Sequence, residues 1–353
     1  MRTPTLRDVA ARAGVHPGTA SRALNPTTRT LVNDATVGRV RRAAEELGYR
    51  PNPIARSLKT SRSGSIGVVV PDLTNPLFPP IVRGVEDVLI AAGYSALIAN
   101  TDNDADREAR HVASLRSRQV EGLIVATARR HHPLLDQLAA EGMPMVLVNR
   151  RVEGADITSV TADDAAGVAL GVHHLVELGH RRIVHLAGPQ WTSTGVVRLR
   201  AFRQALADAK LPESESLVEI CDVWSEESGE AALGRLLDAA RSFTAVLAGN
   251  DLLALGAYGA LEARGLACPG DVSVLGFNDM PFSDRLGPPL TSVRIPHYQI
   301  GAEAARLLLE RFSDPSAPTK SVLLPVSLVA RRSTAPRRGA GGTRAGRSRS
   351  AAR

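Results

Sequence analysis

The sequence predicts a small all-α head of the helix-turn-helix type followed by an α/β core of two doubly wound parallel-sheet lobes, and three observations carry that prediction. Residues 5–47 contain three short helical patterns punctuated by glycine and proline. From residue 64 the chain alternates short, continuously apolar runs with helix-length segments. After residue 163 that alternation resumes, giving two sets of runs rather than one.

In the head, Thr5 and Asp8 form the Ser/Thr-x-x-acid pattern of a capped helix start, and Leu6, Val9, Ala10 and Ala13 share one face at helical spacing. Gly14 suits the left-handed residue that ends such a helix. Pro17 has no N–H to lose in the first turn of a second helix, whose apolar side is Ala20, Ala23 and Leu24. Asn33 is a plausible cap for a third helix with the stripe Val37, Val40, Ala44 and Leu47, stopped by Gly48. These elements bound a head at residues 1–50. Residues 51–63 read as a linker with one short helix.

In the core the first set of runs is Ile66–Val70, Ala96–Ala99, Gly122–Val125 and Met145–Val148. The second is Ile183–Leu186, Leu217–Ile220, Ala245–Ala248 and Val272–Leu275. Runs this uniformly apolar, with a helix between each pair, are strands of parallel sheets covered on both faces. A helix over 297–312 and a strand over 323–328 close the core. The predicted core is 64–334, with lobes of about 64–162 plus 293–320 and 163–292 plus 321–334. The Gly, Ser, Ala and Arg tail, 335–353, has no periodicity and is expected to be disordered.

Charge follows the same boundaries. Residues 1–63 carry twelve Arg and Lys against four Asp and Glu, a net of +8, and residues 334–353 carry six Arg and no acid; the chain total of +7 leaves residues 64–333 at −7. A basic head on an acidic body is the distribution that phosphate contact confined to one module requires. The N-terminus is polar with no apolar stretch before Leu6, and every apolar run is strand-length, so neither a secretory signal nor a membrane span is expected and the location expected is cytoplasmic. Cys221 and Cys268 read as packed thiols.

Doubly wound sheets bind ligands beyond the carboxyl ends of their strands. There the sequence places Asp72, Asn75 and Phe78, then Asn149 and Arg150, then Asn250 and Asp251, and finally Asn278 and Asp279. A cleft of Asp, Asn and Arg with an occasional aromatic suits a polyhydroxylated or heterocyclic small molecule. The chain has no Walker loop, no glycine fingerprint after a strand, no nucleophile elbow and no metal-spaced His/Cys set, so no enzyme, metal or cofactor is expected. His173, His174 and His180 read as helix-end and surface residues.

Thr5 to Asn25, the Leu47–Asn52 junction, Pro71–Pro76, His174-Leu175 with Leu178-Gly179-His180, Asn250–Ala257 and Pro288–Thr291 together resemble the lactose-repressor (LacI/GalR) family, in order from residue 5 to about 333. The resemblance implies a DNA-binding head, a hinge helix within 51–63 and a core similar to periplasmic sugar-binding proteins. It also implies a homodimer, most simply a repressor, on a pseudo-palindromic operator in double-stranded DNA. Base reading falls by resemblance on Pro17, Gly18 and Arg22. Only Arg22 can hydrogen-bond a base through its side chain, with two donors suited to a guanine. His16, Thr19 and Ser21 are candidates for phosphate contacts, and Thr5, Asn25, Tyr49 and Asn52 complete the expected DNA-binding set. Leu58 is implied as the leucine that wedges into the minor groove, with Ala55 packing the two hinge helices together. The resemblance adds Arg198 and a stacking Trp224 to Asp72 and Asp251 in the cleft. A sugar or sugar derivative is the effector favoured, a purine co-repressor the alternative. No leucine heptads follow the last helix, so a dimer rather than a coiled-coil tetramer is expected.

Overall fold

The computed structural model describes residues 4–25, 28–50, 63–212 and 217–337, which divide into a head ending at Gly64 and a core beginning at Ser65. In the head, α1 (Leu6–Ala13), α2 (Pro17–Leu24) and α3 (Asp34–Glu46) enclose a core of Val9, Ala10, Ala13, Ala20, Ala23, Val37, Val40, Ala43 and Ala44. The caps are those the sequence predicts. Thr5 and Asp8 form a reciprocal capping box, Gly14 closes α1 at φ 66°, and Asn33 accepts from the Thr36 N–H at 2.8 Å.

The core contains two six-stranded sheets. The first, with β1 (Ser65–Val70), β2 (Ser95–Asn100), β3 (Gly122–Val125), β4 (Met145–Val148), β5 (Ser159–Ala162) and β11 (Ser321–Leu324), is ordered β2-β1-β3-β4-β5-β11 and parallel throughout. The second, with β6 (Ile183–Ala187), β7 (Val218–Ile220), β8 (Ala245–Ala248), β9 (Ser273–Asn278), β10 (Thr291–Arg294) and β12 (Ser327–Val329), is ordered β7-β6-β8-β9-β10-β12. Only β12 runs antiparallel, against β10. The central strands are buried on both faces, as their unbroken Val, Ile, Leu and Ala content requires. In each sheet the strand order reverses beside the first strand, β1 or β6, which puts a crevice at the carboxyl ends of β1 and β3 and of β6 and β8.

Four expectations are corrected. The strand expected over 323–328 is two strands separated by Pro325, which has no N–H for a ladder. The chain therefore crosses between lobes after β11 rather than at residue 320: Ser321–Leu324 completes the first sheet, and Thr291–Arg294 lies wholly in the second. The tail does not leave the fold at 335. Ala335 N–H donates to Ser273 Oγ at 3.1 Å, and Arg337 N–H donates to the Leu178 carbonyl at 2.8 Å. The rest of that tail, 338–353, lies outside the described residues. His180 is likewise no surface residue; it is buried, with Nδ1 at 2.9 Å from Thr244 Oγ1 and Nε2 at 3.1 Å from the Ala335 carbonyl.

The helix after the second crossing between lobes, α11 (His297–Ser313), packs on α4 (Phe78–Ala91) of the first lobe. A Cβ on Gly84 would fall 2.1 Å from the Tyr298 carbonyl oxygen and one on Gly301 1.9 Å from that of Ile81, so only glycine permits this approach.

Candidate functional site

At the head, α2 begins at His16, whose Nδ1 accepts the Gly18 N–H at 3.1 Å, with Pro17 in the first turn. His16 is thus the helix cap, a role its sequence position did not announce. Arg22 and His16 are exposed, while Pro17, Gly18, Thr19, Ser21 and Asn25 are partly so. Tyr49 packs against the head's core, and burial raises its phenol above its ordinary value. Asn52, Ala55 and Leu58 lie outside the described residues.

Between the lobes of the core, the strand ends surround a small, partly open recess lined by Asn75, Leu77, Phe78, Asn149 and Arg150 from the first lobe and Thr194, Arg198, Trp224, Asn250 and Asn278 from the second. Seven of the ten expected effector residues meet here: Asn75, Phe78, Asn149, Arg150, Arg198, Trp224 and Asn250.

The other three are engaged elsewhere. Asp72 closes a local turn, accepting from Thr74 N–H at 2.8 Å and Thr74 Oγ1 at 2.7 Å. Asp251 is buried against the second sheet, where it accepts from Ser292 Oγ at 2.5 Å and from the Met280 N–H at 2.7 Å; burial pushes its carboxyl up to about 7. Asp279 joins two cations, Arg294 at 2.7 Å and Arg331 at 2.6 Å. Each sits at a strand end as expected, but each is consumed by its own loop or sheet.

Arg198, on α8 (Ser193–Asp208), is held from several sides. Its Nε and Nη2 donate to Asp164 Oδ1 at 2.9 and 2.7 Å, Nη1 to the Gly249 carbonyl at 2.6 Å, and Nη2 to Asn278 Oδ1 at 3.4 Å. Its guanidinium lies 3.8 Å from the centre of the Phe277 ring and 5.7 Å from that of Trp224. Burial pushes the Asp164 carboxyl above its ordinary value while Arg198 pulls it back. Trp224 reaches the site across glycine, since a Cβ on Gly188 would fall 1.8 Å from the indole.

Arg150 is different. It is buried, its only side-chain hydrogen bond among the described residues is from Nη1 to Asn103 Oδ1 at 3.4 Å, and its Nε has no partner. Burial first, and then the neighbouring Arg129, lower its value to about 10, leaving it a cation at neutral pH. Trp191 lies under it at 5.3 Å and under Arg129 at 5.4 Å. Asn149 and Asn278 hold left-handed backbone, at φ 64° and 109°, which asparagine tolerates better than most residues.

Sequence reasoning named Asn278 as following the last strand without assigning it to the site, and it missed Leu77, Thr194 and Trp191. The signal for Thr194 and Trp191 was available, because both follow the strand that ends at Ala187, where the same strand-end rule applies.

Residues 5–52 match the family of bacterial regulatory proteins named for lacI, and residues 172–334 match the periplasmic binding protein-like domain. The transcriptional regulator DegA of Bacillus subtilis is 34% identical over 335 residues, covering 94% of this chain and 98% of its own. This chain belongs to the lacI family. The fold agrees. A solved lac repressor dimer bound to operator and an anti-inducer superimposes with a TM-score of 0.83 at 30% identity, covering 95% of this chain and all of that one. A CelR–cellobiose complex superimposes with a TM-score of 0.72 at 34% identity, covering 94% of this chain and 99% of that one. Among the described residues no helix is long and apolar enough to cross a membrane, and no cluster of His, Cys, Asp or Glu could hold a metal.

Proposed function

We propose that this protein is a cytoplasmic, effector-controlled repressor that works by binding rather than turnover, with a head that reads operator DNA and a cleft that takes a small sugar or sugar derivative. The observation that carries the reading is a capped helix-turn-helix on the same chain as a two-lobed core whose strand ends enclose a polar recess with an indole beside it. In this reading exposed Arg22 donates twice to a guanine edge, and Pro17 and Gly18 allow close backbone approach. Because His16 Nδ1 accepts the Gly18 N–H, a neutral ring carries its proton on Nε2, which is then a donor for phosphate. Thr5, Thr19, Ser21, Asn25 and Tyr49 supply further backbone contacts, and Asn52, Ala55 and Leu58 act from the hinge.

A homodimer is supported by the free sheet edges, since β2 and β7 each end a sheet and carry half-exposed Ile98 and Ile220. Effector binding acts by differential affinity for two arrangements of the lobes. The test is a mobility shift and footprint with DNA from the gene's own upstream region. Wild type protects a discrete pseudo-palindrome. Arg22→Ala loses about 1–3 kcal/mol of discrimination and keeps weak, salt-sensitive binding. An unchanged footprint in Arg22→Ala would remove Arg22 from the reading, and no specific shift by wild type would remove operator binding.

A further inference from the structure

The recess is rich in donors and poor in acceptors. In three of its four asparagines the side-chain oxygen already accepts one hydrogen bond: Asn75 from the Leu77 N–H at 3.0 Å, Asn250 from the Leu253 N–H at 2.8 Å and Asn278 from Arg198. These donors fix which way each amide points, leaving three NH2 groups without a partner among the described residues. Arg150 adds a buried Nε–H with no acceptor, and Arg198 has one Nη1 hydrogen beyond the four bonds described above.

Charge points the same way. The lining includes two arginines and no carboxylate. Around it Arg129, Arg150, Arg151 and Arg198 face three acids, Asp163, Asp164 and Glu108, an excess of one positive charge. Asp164 is committed to Arg198. Glu108 raises Arg150 through its charge, but its own oxygens are held by Thr127 and by His132, the latter at 3.4 Å. Trp191 covers the ring-facing side of the Arg129 and Arg150 guanidinia and offers no acceptor to their edges.

A neutral polyol donates a hydrogen from each hydroxyl, and the acceptors that the side chains of this lining offer are neutral amide and hydroxyl oxygens, with no carboxylate among them. An oxyanion only accepts, and a charge-assisted bond to a buried guanidinium is the strong kind. We infer, resting on the reading of the cleft as the effector site, that the effector is an anionic sugar derivative whose carboxylate or phosphate oxygens sit on the Arg150 edge. Its hydroxyls then meet the amides of Asn75, Asn250 and Asn278, and its apolar face meets Trp224.

Isothermal titration of the full-length protein with matched probes tests this: D-glucose, D-gluconate and D-glucose 6-phosphate, and D-ribose, D-ribonate and D-ribose 5-phosphate. An acid or phosphate member is expected to bind at least about tenfold tighter than its neutral parent, with the advantage shrinking as salt rises. Which of the two binds distinguishes carboxylate from phosphate. Arg150→Gln should abolish the advantage and Arg150→Lys keep part of it; the wild-type comparison stands even if a variant misfolds. A neutral sugar binding as tightly as its acid and phosphate would overturn the inference and leave the sugar reading intact. Binding of none of the six would overturn both.

Discussion

The two lobes share a sheet order and bring opposite kinds of arginine to the recess between them. The second lobe presents Arg198 already neutralised, with Asp164 on two nitrogens, the Gly249 carbonyl on a third bond and aromatic rings on its faces. The first presents Arg150 with one long bond to Asn103 and an idle Nε. A buried charge without hydrogen-bonded partners is costly, so a protein keeps one where a ligand completes it. The contrast separates two settings that residue type alone does not distinguish: Arg198 is fixed by acceptors of its own lobe, and Arg150 keeps an Nε without a partner among the described residues.

The largest effect follows from that division. Asp164→Ala strands a buried guanidinium and is expected to cost about 3–5 kcal/mol in urea unfolding of the core. Asn103→Gly, which removes the long bond to Arg150 at a position whose left-handed φ of 57° glycine tolerates, should cost under about 1 kcal/mol. Similar losses for the two variants would erase the distinction.

How much of this was legible beforehand depended on whether a residue's role is local. The caps Thr5, Gly14 and Asn33 and the central strands were readable because spacing along the chain fixes them. The strand-end rule found seven cleft residues for the same reason, since topology places every such position near the crevice. It could not separate Asn250, which lines the recess, from Asp251 beside it, because the partners that withdraw Asp251, Ser292 and Met280, lie about thirty to forty residues away. Asp279 is withdrawn likewise by Arg331, 52 residues on. The split of 323–328 was available locally in Pro325, but which sheet each half joins was not.

The next effect sets the lobes apart in acid. His185 lies in the second lobe's core, stacked on Phe202 at 4.6 Å, with Nδ1 donating to the Leu247 carbonyl at 2.9 Å and Nε2 unpartnered. Burial lowers its value to about 4 from an ordinary 6.5. A histidine depressed in the fold contributes stability above 6.5 and loses it as pH falls toward 4, a swing of about 3 kcal/mol. Asp251 in the same lobe works the other way: with its value raised to about 7, it favours the fold increasingly as pH falls from there toward 3.8. The two contributions are opposed and similar in size, so melting is read as the difference between proteins: from pH 7 to pH 4.5, His185→Leu should shift by about 2–3 kcal/mol toward stability relative to wild type. The same shift in both would move the acid-sensitive group out of the second lobe's core.

The smallest effect tests whether the lobes are joined independently of the ligand site. At the rim of the cleft the Arg130 N–H donates to the Trp191 carbonyl at 3.0 Å and its Nη1 to the Gln190 carbonyl at 3.3 Å, while Glu153 of the same lobe holds the guanidinium at 2.7 Å. The ion pair is half exposed and contributes little by itself; the interlobe bond it steadies is worth about 0.5–1 kcal/mol. Arg130→Ala keeps the backbone bond and loses the side-chain one. Amide hydrogen exchange at residue 130 should accelerate about two- to fivefold, with amides inside both sheets unchanged. Faster exchange within β3 or β6 as well would mean that the rim is part of each lobe's own stability, and that the two arginines differ for reasons other than their place on separate bodies.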